Sequence, residues 1–151
     1  LKELRSLLDT TKVHIAISLH NPFSAERAAI MPVERAYPIR DVIALLSNYD
    51  FSHQRRLSFE YIMWRDVNDS IRYAEALVKL IGRLDCRVNL IRFHAIPGSD
   101  LRPSTTQVME RFRDCLNDHG ITATIRASRG EDIMAACGML AGKATAEAAT
   151  E

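Results

Sequence analysis

Residues 57–93 read LSFEYIMWRDVNDSIRYAEALVKLIGRLDCRVNLIRF, and this stretch decides the fold. Its ends, Leu57–Met63 and Arg87–Phe93, are rich in β-branched and aromatic residues and predict strands. Between them, Asn68-Asp69-Ser70 forms a cap-like cluster, and Ala74, Leu77, Val78, Leu80 and Ile81 follow at helical spacing, so a helix is predicted over 70–84. Strand, helix, strand in that order predicts a parallel pair joined by a right-handed crossover.

The same unit recurs in both directions. Toward the N-terminus, Val13–Leu19 predicts a strand stopped by His20-Asn21-Pro22, and Ile39–Tyr49 a helix with Pro38 at its start. Toward the C-terminus, Val108, Met109, Phe112 and Leu116 form one stripe of a helix over 104–119, with Gly120 as its cap. Ile121–Arg126 predicts a fourth strand, and Glu131–Leu140 a last helix rich in Ala and Met. The order β-α-β-α-β-α-β-α predicts an α/β fold with a parallel sheet. Four such strands suit a small open sheet or part of a larger barrel. In either case functional groups gather at the carboxyl ends of the strands.

Composition narrows the class. The 151 residues carry 20 Lys and Arg against 19 Asp and Glu, 47% hydrophobic and 26% charged residues, as in an ordinary globular domain. A net charge of +1 argues against broad adhesion to nucleic acid, though a local basic face is compatible with it. No apolar run reaches the roughly 18 residues of a membrane span, and no signal peptide is readable. Three widely spaced cysteines, Cys86, Cys115 and Cys137, form neither a disulfide framework nor a metal knuckle, which favours a reducing, cytoplasmic setting. The chain does not begin with Met, which suggests processing or a piece of something longer.

At the predicted strand ends stand the candidate site residues. Ser18 and His20 alternate to one side of the first strand. Glu60 lies among apolar neighbours and needs a partner, either a ligand or an Arg of a neighbouring strand. On the third strand Asn89 and Phe93 point one way, and Leu90, Arg92 and His94 the other. The turn Phe93–Gly98 offers backbone groups suited to a flat ligand edge. After the fourth strand come Arg126 and Arg129, a weak phosphate signal, and Cys137 between Ala136 and Gly138, where small neighbours let a substrate approach. Cys86 and Cys115 read as core residues. The residues alone name no reaction.

Taken in order, Ile17-Ser18-Leu19-His20, Ile30-Met31-Pro32, Tyr37-Pro38-Ile39, Phe59-Glu60-Tyr61, Val67-Asn68-Asp69-Ser70, Val88-Asn89-Leu90-Ile91, Pro97-Gly98-Ser99, Thr124-Ile125-Arg126, Arg129-Gly130-Glu131-Asp132-Ile133 and the run Ala135 to Gly142 resemble one family. It is the bacterial dual-specificity RNA adenine-C2 methyltransferases of the radical SAM superfamily, the RlmN type. The resemblance covers about residues 13–143 and implies the C-terminal half of a partial (β/α) barrel, TIM-like in plan. Residues 1–143 are then the C-terminal part of the methyltransferase domain and 144–151 a disordered tail.

The resemblance also implies chemistry. Ser18, Leu19 and His20 would contact S-adenosylmethionine, and His94, where many members have Asn, would read its adenine through backbone groups. Cys137 would carry the methyl group as S-methylcysteine. In the implied mechanism one S-adenosylmethionine methylates that thiolate. A second is cleaved reductively, and the radical so formed activates the methyl for addition to C2 of an adenosine in 23S rRNA or tRNA. Arg126 and Arg129 would hold RNA phosphate or the loop bearing Cys137. The family's C-x-x-x-C-x-x-C motif for a [4Fe–4S] cluster, its Gly-Glu-Pro segment and its RNA-binding domain have no counterpart in these 151 residues. On this reading the chain is a C-terminal fragment, inactive by itself, with an exposed sheet edge open to self-association. Other readings are the related C8 methyltransferase of antibiotic resistance, a non-catalytic nucleotide-binding module, or a half that assembles with a separately encoded partner.

Overall fold

The structure, a computed structural model, describes residues 1–52 and 55–127. Four strands, β1 (Ile15–Ser18), β2 (Leu57–Met63), β3 (Arg87–Arg92) and β4 (Thr122–Ala127), form one sheet in the order β1-β2-β3-β4. Every pair is parallel, as the alternation of elements predicts. Because each strand lies beside its predecessor, successive right-handed crossovers place their helices on the same side of the sheet. A doubly wound sheet reverses its order and covers both faces; this one is singly wound, as a barrel is.

The helices are α1 (Lys2–Thr10), α2 (Ser24–Ile30), α3 (Val33–Ala36), α4 (Ile39–Leu46), α5 (Ile71–Ile81) and α6 (Thr106–Asp118). The helices expected over 39–49, 70–84 and 104–119 are present as α4, α5 and α6, each shorter than expected. The helices α1, α2 and α3 depart from the expected pattern. In α2 the buried residue is Arg27, so no apolar stripe announces it, and α3 is a single turn. Pro38 precedes α4 as its cap in extended backbone instead of entering the first turn. The helix α6 ends as expected: Gly120 at φ +83 lets its N–H reach the Asn117 carbonyl and that of Ile121 reach Leu116. The predicted helix 131–140, Arg129, Cys137 and the tail lie outside the described residues.

One core fills the helix-covered face. Leu57, Phe59, Tyr61 and Met63 of β2 meet Val88 and Leu90 of β3, Ala74 and Leu77 of α5, and Met109, Phe112 and Leu116 of α6. Each fully buried side chain of this size contributes roughly 1.5–3 kcal/mol. Tyr61 packs its ring against Phe112 at 5.3 Å and donates its hydroxyl to the Asn68 carbonyl at 2.7 Å, so its polar tip is satisfied. The alternate residues of the strands therefore face the other side, which, among the described residues, no helix covers beyond the end of α2.

Candidate functional site

On this open face the parallel register aligns Ser18, Glu60, Asn89 and Thr124 in one row across all four strands. Asn89 Nδ2 donates to Glu60 Oε1 at 3.2 Å, and Thr124 Oγ1 to Asn89 Oδ1 at 3.3 Å. Arg126, one row nearer the strand ends, donates to Glu60 Oε2 at 3.2 Å. The partner Glu60 requires is thus an arginine two strands away, and Arg126 is committed to it. Above this row the face closes over. Ile62, Trp64, Ile91 and Phe93 are buried beneath Ile30 at the end of α2 and Ile96 and Leu101 of the loop after β3.

The end of β1 is built with unusual completeness. Arg27 of α2 is only 4% exposed and spreads its guanidinium over the turn. Its Nη2 donates to the Ser18 carbonyl at 2.9 Å and its Nε to the Leu19 carbonyl at 3.1 Å. Its Nη1 meets Glu34 of α3 at 2.8 Å. Glu34, 2% exposed, also accepts from the Ile39 N–H and the Ser24 hydroxyl, so no part of the buried pair is unmatched. The next carbonyl, that of His20, accepts from Asn68 Nδ2 at 2.7 Å. The same amide nitrogen serves Ile62, while Asn68 Oδ1 takes the Trp64 N–H. Asn68 is therefore a clasp between two strand ends, not the helix cap its sequence context suggests. Asp69 likewise binds the Asp66 N–H and the Ser104 hydroxyl.

His20 sits in the left-handed region at φ +58, a conformation that costs a residue with a Cβ roughly 1–3 kcal/mol and collects at functional sites. Its Nδ1 accepts the Ile62 N–H at 3.0 Å, which leaves the ring proton on Nε2. Burial, and then the Arg27 charge, pull its pKa down to about 4, so the ring is neutral at physiological pH. Ser18 is exposed on the open face. Leu19 is different: its side chain lies in the helix-side core, its N–H is held by Glu60 and its carbonyl by Arg27 and Asn21. His94 follows β3 in an exposed turn, two strand spacings from β1, about 10 Å.

Cys86 packs into the helix-side core, and burial, then Asp85, push its thiol up to about 12. Cys115 packs on that core's edge and is also raised, chiefly by burial. Both fit the core reading. Among the described residues no three His, Cys, Asp or Glu come together as a metal site. A surface groove of about 420 Å³ between α4 and α5 is also lined by Pro22 and Phe23 of the loop after β1, and one of about 380 Å³ beside β1 is also lined by Arg27. No described helix is long and apolar enough to cross a membrane.

Arg27 and Glu34 carry no motif and escape a reading based on apolar periodicity. Their one signal is an arginine placed where α2 needs its buried residue.

No protein-family profile matches the chain. It is 59% identical over 139 residues to a probable dual-specificity RNA methyltransferase RlmN of Bacteroides fragilis, covering 92% of this chain and 40% of that protein. With the dual-specificity RNA methyltransferase RlmN of Gluconobacter oxydans it shares 47% over 133 residues, 87% of this chain and 33% of that one. The structure superposes on a radical SAM methyltransferase from Sphaerobacter thermophilus with a TM-score of 0.79 and 38% identity, over 92% of this chain and 41% of that one. A domain of a pyruvate-formate lyase-activating enzyme from Bacteroides vulgatus, 15% identical with a TM-score of 0.66, shares the fold over 83% of this chain and 74% of its own. The chain spans about two fifths of the length of the first of these relatives. Over that span the chain is similar to RlmN-type RNA methyltransferases and to a radical SAM methyltransferase.

Proposed function

We propose that the chain serves an RNA methyltransferase that transfers a methyl group from S-adenosylmethionine to C2 of an adenosine in rRNA and tRNA. The observation that carries this reading is the Ser18–His20 turn: the family's motif, at the carboxyl end of β1, with Ser18 exposed on the open face, Leu19 in the core and the backbone immobilised. A hydroxyl and a neutral imidazole suit the polar atoms of S-adenosylmethionine, and the residues present fit that group. When bound, it supplies a methyl on an electrophilic sulfonium. Ser18 and His20 bind and orient it, and His94 meets its adenine edge. The Glu60–Arg126 pair holds the end of β4, from which the chain leads to Cys137, the residue assigned to carry the methyl.

The test uses the full-length product of the reading frame, RNA and methyl-labelled S-adenosylmethionine. Digestion to nucleosides is expected to yield 2-methyladenosine, and peptide mass spectrometry a methylated Cys137. Active enzyme with Cys137 always unmodified overturns that assignment, and 8-methyladenosine as the product overturns the choice of C2.

A further inference from the structure

The backbone carbonyls of the Ser18–His20 turn are all taken by groups of the protein itself. Ser18 and Leu19 give theirs to Arg27, and Leu19 also to the Asn21 N–H. His20 gives its own to Asn68. The Leu19 N–H is held by β2, and the Ile62 N–H occupies His20 Nδ1. Among the turn's side chains, the Ser18 hydroxyl, which can donate or accept, and the Nε2–H of His20, itself only 4% exposed, carry no bond to the described residues. A guanidinium is suited to this task because its planar fork reaches two carbonyls and a carboxylate at once, which an ammonium cannot. The clamp joins elements distant in the fold. Arg27 comes from α2, its counterion Glu34 from α3, and Asn68 from the loop that follows β2.

We propose that Arg27 and Asn68 are positioning residues that withdraw the turn's carbonyls from the site, so that the donor-only His20 Nε2–H, beside the Ser18 hydroxyl, selects an acceptor atom of the ligand. This rests on the reading that the turn binds S-adenosylmethionine. The acceptors there are carboxylate and ribose oxygens or adenine ring nitrogens. The sulfonium end offers none and is directed elsewhere.

Two measurements on the full-length protein test the proposal. In the first, Arg27→Lys keeps a cation beside Glu34 but spans the two carbonyls poorly. Equilibrium dialysis against S-adenosylmethionine is expected to show Kd raised about tenfold or more while the variant melts as a folded protein. An unchanged Kd with a lowered melting temperature is the mark of a merely structural pair and overturns the proposal. In the second, which needs no variant, ¹⁵N-labelled histidine reports His20 directly. The Nε2–H tautomer is expected before and after ligand addition, with the Nε2 proton shifted on binding. An Nδ1–H tautomer, or an Nε2 proton indifferent to ligand, overturns it. Absence of any S-adenosylmethionine binding by the unsubstituted protein overturns the underlying reading itself, and is distinct from binding that Arg27→Lys leaves intact.

Discussion

Phe59 and Glu60 are neighbours on β2 and serve opposite faces of one sheet. Phe59 disappears under the helices with Tyr61, Val88 and Leu90 in a continuous apolar core. Glu60 turns to the opposite, more open face, where its partners are Asn89 and Arg126. One side is held by area removed from water, which is non-directional and tolerant of chemistry as long as volume is kept. The other is held by directed bonds, each dependent on a particular donor and acceptor. Stability therefore concentrates on the helix side, and ligand geometry on the open side and at the end of β1.

This division is open to attack at three levels. The largest effect is expected from Phe59→Ala, which removes a fully buried ring and costs about 3–5 kcal/mol in a urea titration. A loss below about 1 kcal/mol would mean that the helix side is not where stability resides.

An intermediate effect is expected from pH. His20 titrates near 6.5 when unfolded but at about 4 in the fold, so between these values the unfolded chain binds the extra proton. Stability conferred by the neutral ring is complete above about pH 6.5, falls with acidification, and is fully lost below about pH 4, by up to about 3 kcal/mol. His20→Gln should flatten that part of the stability profile, and a profile indifferent to the substitution would remove the ring from the buried turn.

The smallest effect is expected from Glu60→Gln. The ion pair with Arg126 is partly exposed, and its charge is worth less than about 1 kcal/mol in a thermal melt. A loss matching that of Phe59→Ala would erase the distinction between the faces.

The candidate site was legible in unequal measure. Ser18 and His20 were readable, because period-two alternation sends them to the same side of a strand that a breaker ends. Glu60 announced its need for a partner, since a carboxylate among apolar neighbours is costly alone; which arginine answers it required the register of three strands. Leu19 belonged to the family motif, yet the fold puts its side chain in the core and occupies its backbone. Asn68 looked like a helix cap because local context is all a sequence offers. Its amide instead joins the ends of β1 and β2, 48 residues apart in the chain for the His20 bond.

The sequence by itself determined the strands, the longer helices, the parallel pairing and the family resemblance, since all follow from local periodicity, turn chemistry and motif order. Tertiary structure alone decided that the sheet is singly wound, leaving one face open, and that a buried arginine, its glutamate and an asparagine hold the β1 turn. The reason is physical. Apolar burial repeats along a chain and can be read there, whereas a directed hydrogen bond depends on where two distant atoms come to rest.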